Sequence, residues 1–375
     1  MSSRPAAERF IFVDAMRGIA CMGVLLYHLL HHALMERSFR NILPFPVQML
    51  CDHGAGGVEV FFVISGFVVA HSLRDFTPSM LYVGSFILRR QIRLDPAYWC
   101  TMAFVLCITA IERLTPFADH APGPGIPHIL ENMFYLQNIL HAPQILLVAG
   151  TLCIELQFYL VFVLLVWIAH RIDPKKPLLV VGPVLVMALA LASSVRGQWT
   201  VESAYFPPFW YYFAAGVMCS WALRGVTRAW ACIAFLTIFG VFTIYLNEKE
   251  IWSGFATAAV IYIVGYANLL TVWTGGRVLQ YLGRISYSLY LVHLPILSGL
   301  LRFAHKFTHD NRWAALFWFL VVGGSCVAAA HLWYLAIERP TLQMANRLKD
   351  FAEPSCDKTR RKFAEQLSMT TITTG

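Results

Sequence analysis

The sequence predicts an all-α, polytopic integral membrane protein of about ten transmembrane helices with its N- and C-termini in the cytoplasm. Three observations carry that expectation. First, 58% of the 375 residues are hydrophobic and only 13% are charged, too little polar surface to coat a water-soluble domain of this length. Second, apolar windows long enough to cross a bilayer, about 20 residues each, recur from one end of the chain to the other. Third, the basic residues alternate between the two sides.

The windows fall at 10–32, 54–74, 97–113, 146–169, 178–195, 207–224, 229–246, 251–273, 287–303 and 313–335. With the N-terminus inside, the inner segments hold 20 of the 29 Lys and Arg, the outer segments eight, and Arg17 lies in the first window. Basic residues are retained on the cytoplasmic side, so this bias sets the orientation. It also accounts for the net charge of +8 through anionic lipid, and no nucleic-acid motif accompanies it. The apolar run over 18–30 reads as a retained first helix: Arg17 and His28 stand at its ends and no small-x-small cleavage site follows. Nine Cys occur without a C-x-x-C pair, mostly inside windows, and read as small apolar residues. Residues 9–340 form one transmembrane domain. The polar, basic and Ser/Thr-rich stretch 346–375 reads as a short disordered cytoplasmic tail.

Ionisable groups at membrane depth are costly and therefore candidates for function. Arg17 and His28 are 11 residues apart, close to three helical turns, which puts both on one face of the first helix about 16 Å apart along its axis. Each has a plainer reading: His28 as an interfacial histidine beside His31 and His32, Arg17 as a cation reaching the inner headgroups. The run FILRRQIRLDPAY over 86–98, an inner loop leading into the third window, sets Arg90 and Arg93 three residues apart, so that both guanidinium groups point one way on a helical turn. Such a pair can grip phosphate oxygens, although topology alone also calls for basic residues there. Glu155, within GTLCIELQFY over 150–159, lies in an otherwise apolar helix and must be paired, protonated or turned to a polar cavity. Glu59, Ser65, His293 and Glu338 are lesser candidates that fit simple helix-to-helix hydrogen bonds. No metal site is expected.

Five blocks together carry a resemblance. DAMRGIA at 14–20 leading to His28, GVEVFFVISGF at 57–67, the arginine segment 89–99, residues 151–159 and GRISYSLYLVH at 283–293 resemble, in order and spacing, the acyltransferase 3 family of membrane-bound bacterial O-acyltransferases. Two departures stand out: Thr151 replaces the family's usual Ser, and Leu156 a commonly found second acid, whereas Glu155 is kept. The resemblance implies transfer of an acyl group, in the first place acetyl, from cytoplasmic acyl-coenzyme A to a hydroxyl of a cell-surface or exported glycan or related acceptor, at the inner (plasma) membrane. It implies acyl-coenzyme A as a substrate with no resident cofactor, phosphate binding by Arg90 and Arg93, and a general-base or acyl-carrying role for His28. Arg17 would stabilise an oxyanion or bind a phosphate, and Glu155 would set the histidine tautomer. A multi-pass transporter or flippase is the alternative from a different class. A haem or metal protein using His28, His31, His32, His71 or His293 is a second.

Overall fold

A computed structural model of the protein describes residues 9–74, 80–113, 123–173, 207–246, 249–273, 275–308 and 311–347. Among these residues there are twelve α-helices and no strand. They are α1 (Ile11–Leu30), α2 (Glu36–Ile42), α3 (Phe45–Asp52), α4 (Gly57–Ser72), α5 (Met80–Arg113), α6 (Ile126–Met133), α7 (Ala149–Ile172), α8 (Trp210–Leu223), α9 (Ala229–Leu246), α10 (Lys249–Tyr266), α11 (Arg277–Thr308) and α12 (Arg312–Trp333). A 3₁₀ turn, His53–Gly56, joins α3 to α4, and a π turn, Tyr334–Glu338, continues α12.

Six helical stretches are long and apolar enough to cross a membrane: Ile11–Leu30, Phe45–Ser72, Leu81–Arg113, Ala149–Ile172, Arg277–Thr308 and Arg312–Arg347. They make the chain a multi-pass membrane protein. The windows 207–224, 229–246 and 251–273 coincide with α8, α9 and α10, which are shorter, at 14, 18 and 18 residues. The window 178–195, the outer segment 196–206 and nearly all of the tail lie outside the described residues.

The stretch 86–98, read from the sequence as a loop, belongs to α5, whose 34 residues run through Pro96. A proline within a helix removes one backbone bond and costs about 3 kcal/mol. Side-chain anchors on either side offset it. Tyr135 donates its hydroxyl to Asp95 Oδ1 at 3.0 Å, Tyr98 to the Asn132 carbonyl at 2.8 Å, and Trp99 Nε1 to the Met133 carbonyl at 3.1 Å.

Two crossings made by small residues set the framework around the site. At the first, Gly18 of α1 faces Gly283 of α11 so closely that a Cβ on Gly18 would stand 2.7 Å from the Gly283 nitrogen, and one on Gly283 would collide with the Asp14 carbonyl. At the second, Gly66 of α4 and Gly216 of α8 approach the backbones of Phe213 and Val63. Without water between helices, association rests on such van der Waals fit. Apolar side chains of α4, α8, α9 and α10 form one buried cluster and those of α11 and α12 another, while α1, α5 and α7 contribute to both. Phe158 centres the first, stacked on Phe213 at 4.0 Å and 12°.

Candidate active site

Five helices border a partly open cavity, and each contributes at least one polar side chain to its lining. From α7 come Thr151, Glu155 and Tyr159, one turn apart from each other; from α4, Ser65; from α5, Arg90 and Arg93; from α11, Ser286 and Tyr290; from α1, Arg17. The i, i+4 repeat on α7 places these polar groups on one face, while Phe158 and Phe162 turn away into the aromatic cluster.

Glu155 gathers three of these side chains. Ser65 and Tyr159 both donate hydroxyl hydrogen bonds to its Oε1. The Arg90 guanidinium donates to the Tyr159 oxygen and stands 3.9 Å from Glu155 Oε1. The side chains of Arg90 and Glu155 are 16% and 21% exposed, so the pair is held with little solvent screening, and loss of either partner strands the other. Sequence reasoning gave Glu155 the task of orienting His28. The structure places it against Ser65, Tyr159 and Arg90 instead, and no hydrogen bond joins it to His28 among the described residues.

Arg93 and Arg17 line the same cavity and make no side-chain hydrogen bond or ion pair among the described residues. Arg93 feels the charges of Arg17 and Arg90 and, opposing them, those of Glu338 and Glu155. The lining holds three guanidinium groups and one carboxylate, Glu155, a positive balance that suits an anionic ligand such as a phosphate. Glu338, from the π turn, accepts from the Ser288 backbone N–H at 3.1 Å and the Ser288 hydroxyl at 2.5 Å, tying the end of α12 to α11.

His28 does not line this cavity. It is half-buried towards the other end of α1, where its ring lies 5.3 Å, centroid to centroid, from that of His293 and 5.3 Å from Tyr27. The connection to the cavity is Tyr290. Its hydroxyl shares a 2.5 Å hydrogen bond with Thr151, and its ring stands 5.9 Å from His293. Tyr290 thus borders the cavity with its hydroxyl and borders His293 with its ring, and His293 in turn neighbours His28. Tyr159 and Tyr290 were not among the sequence candidates. The spacing of Tyr159 four residues from Glu155 was the available signal for the first; nothing local marked the second.

Outside the cavity, beyond the end of α1, Arg40 donates to Asp52 at 3.0 Å and to Glu36 at 3.0 Å, and lies 2.9 Å from His31 Nε2. The hydrogen bonds it donates to Asp52, and then to Glu36, hold the Arg40 guanidinium above its ordinary range. This cluster braces α2 and α3 against α1.

The model of a family described as an acyltransferase domain matches residues 10–336. The chain belongs to the acyltransferase 3 family. Acyltransferase 3 membership makes it an enzyme of the acyl-transfer class, and the match covers every cavity-lining residue named above. Among similar proteins, the provisionally named acetyltransferase ORF330 of Acidianus two-tailed virus is 27% identical over 304 residues, 75% of this chain and 82% of the relative. The O-acetyltransferase OatA of Staphylococcus aureus (strain NCTC 8325 / PS 47) is 25% identical over 324 residues, 76% of this chain and 50% of the relative. The matched region thus spans half the length of OatA. No solved structure matches the chain.

Proposed function

We propose that the protein is an O-acyltransferase of the inner (plasma) membrane that moves an acyl group, in the first place acetyl, from cytoplasmic acyl-coenzyme A to a hydroxyl of a cell-surface or exported glycan or related acceptor. The observation that carries the reading is the convergence of Arg17, Arg90 and Arg93 on one cavity from which Tyr290 leads to His293 and His28. The names of the relatives, both acetyltransferases, favour acetyl as the group moved. The excess of Lys and Arg on alternate segments favours cytoplasmic termini and donor entry from that side.

In this reading Arg17 and Arg93 hold phosphates of the coenzyme, and Arg90, anchored through Tyr159 and Glu155, keeps the third positive charge in place. Glu155 is a positioning residue for Arg90. His28 takes the proton of the acceptor hydroxyl as its oxygen attacks the thioester carbon, or carries the acyl group itself as an acyl-imidazole. The test compares cells expressing wild type with cells expressing His28→Ala at equal membrane abundance, fed a labelled acetyl source. Label in exported hydroxyl products that depends on His28 is the expected result; equal labelling in both removes His28 from the chemistry.

A further inference from the structure

His293 is 1% exposed, and the hydrogen bonds of its ring define its tautomer. Its Nδ1 faces two backbone carbonyls, Leu289 O at 3.0 Å and Tyr290 O at 2.9 Å. Carbonyl oxygens only accept, so Nδ1 carries the hydrogen. Nε2 is then left as a lone-pair acceptor, and it is buried with no hydrogen-bond partner among the described residues. A buried, unsatisfied acceptor of this kind calls for a physical explanation. The backbone around it is fixed as well, since Cys326 Sγ of α12 approaches the His293 carbonyl at 3.6 Å. The nearest imidazole is that of His28, with centroids 5.3 Å apart and planes inclined by 35°. As placed, the two rings share no hydrogen bond; a turn of the His28 ring that faced one of its nitrogens to Nε2 would bring the two nitrogens about 3 Å apart, within N–H···N bonding range.

We infer that His293 is a positioning residue whose Nε2 accepts the N–H of His28, thereby fixing the tautomer and orientation in which the other nitrogen of His28 faces the acceptor hydroxyl. This inference rests on the acyl-transfer reading and assigns to His293 the task that sequence reasoning gave to Glu155. The step balances without an added reactant. The hydroxyl oxygen bonds to the thioester carbon, its proton passes to the free nitrogen of His28, the carbon–sulfur bond breaks, and the leaving thiolate takes that proton from His28. His293 keeps its own Nδ1 hydrogen throughout.

Two substitutions separate this role from packing. His293→Asn retains an amide nitrogen near the Nδ1 position and removes the acceptor at Nε2; His293→Gln places an amide near Nε2 and restores an acceptor there. With matched thermal midpoints in detergent, His293→Asn is expected to lower kcat by about 10–100-fold, the usual cost of losing a histidine's orienting partner, with donor KM unchanged and His293→Gln partly rescued. Because His293 acts through His28, His293→Asn adds no further loss in a His28→Ala background. Equal losses in the Asn and Gln variants, a change confined to KM, or additivity with His28→Ala would each overturn the inference. A readout independent of turnover is the nitrogen–nitrogen coupling across the hydrogen bond, read by solid-state NMR of the histidine-labelled full chain. Coupling in wild type that vanishes in His28→Ala supports the pair even if no acyl transfer is found, in which case the proposed function fails alone; absence of coupling in an active wild type overturns the pair alone.

Discussion

The guanidinium of Arg90 lies 4.1 Å above the ring centroid of Tyr159, whose hydroxyl accepts a hydrogen bond from Arg90 and donates one to Glu155. One phenol thus serves as stacking platform, acceptor and donor within a membrane-embedded ion pair. Arginine on an aromatic face at this distance gains cation–π attraction of about 0.5–2 kcal/mol, and the planar fork explains why the residue is Arg and not Lys.

Removing the phenol oxygen while keeping the ring separates the two contributions. Tyr159→Phe is expected to retain the stacked arrangement and to cost about 1–3 kcal/mol, the usual penalty for leaving buried polar partners short of a bond. Glu155→Leu leaves Arg90 as an uncompensated buried charge and is expected to cost about 3–5 kcal/mol. Thermal unfolding in detergent, followed by loss of the monodisperse peak, ranks the two variants; a Glu155→Leu protein as stable as Tyr159→Phe would contradict the ion-pair assignment.

Arg17 and Arg93 carry a different expectation, because neither holds another side chain by a hydrogen bond. Arg17→Ala and Arg93→Ala are expected to leave the thermal midpoint nearly unchanged and to raise the KM for acyl-coenzyme A roughly 10–100-fold each, as for loss of one charge-assisted hydrogen bond of about 1.5–3 kcal/mol. Initial rates over a range of donor concentrations check this. Unchanged donor KM in both variants would place the coenzyme's phosphates elsewhere.

The crossing of α1 and α11 positions Arg17, Tyr290, His293 and His28 together. Gly283→Ala puts a methyl group against the Asp14 carbonyl, so the two helices must separate. Overpacking of this kind typically costs about 1–3 kcal/mol, and activity is expected to fall further than stability because the separated helices both carry site residues. Measuring the thermal midpoint and transfer rate of the same preparation checks the order of the two effects; full activity in Gly283→Ala would show that this contact does not set the site.

Glu338 and Ser288 test the tie between the π turn and α11. Glu338→Gln keeps one acceptor for Ser288 and is expected to lose about 1 kcal/mol, whereas Glu338→Ala removes the acceptor from the buried Ser288 hydroxyl altogether and is expected to lose about 1–3 kcal/mol. Both are read from detergent thermal unfolding, and equal stability of Glu338→Ala and wild type would contradict the role assigned to this bond.

Much of this arrangement is legible in the sequence. Hydrophobic windows find each described membrane helix because the bilayer demands internal satisfaction of every backbone group and therefore long apolar runs. Glu155 and Arg17 stand out for a related reason, since charge at membrane depth is costly, whereas Arg90 and Arg93, read as part of an inner loop, stand out by their spacing of three. Pairing is what the sequence hides. Glu155 lies 127 positions from His28 and 65 from Arg90, and nothing in the linear order says which it meets. The extent of α5 is likewise hidden, since Asp95-Pro96 reads locally as a turn and only the anchors from Tyr98, Trp99 and Tyr135 hold the helix through it. His293 could be singled out as a buried polar residue, yet its free Nε2 depends on helix geometry that directs Nδ1 to its own backbone.

The central claim, that this cavity and the histidines beyond it move an acyl group from coenzyme A to a hydroxyl, is tested most directly with purified protein reconstituted in liposomes and given acetyl-labelled acetyl-coenzyme A with a hydroxyl acceptor such as an oligosaccharide. Label appearing on the acceptor in step with free coenzyme A, and neither appearing with His28→Ala, is the expected result. Acceptor passing through the membrane unmodified while acetyl-coenzyme A stays intact would contradict it.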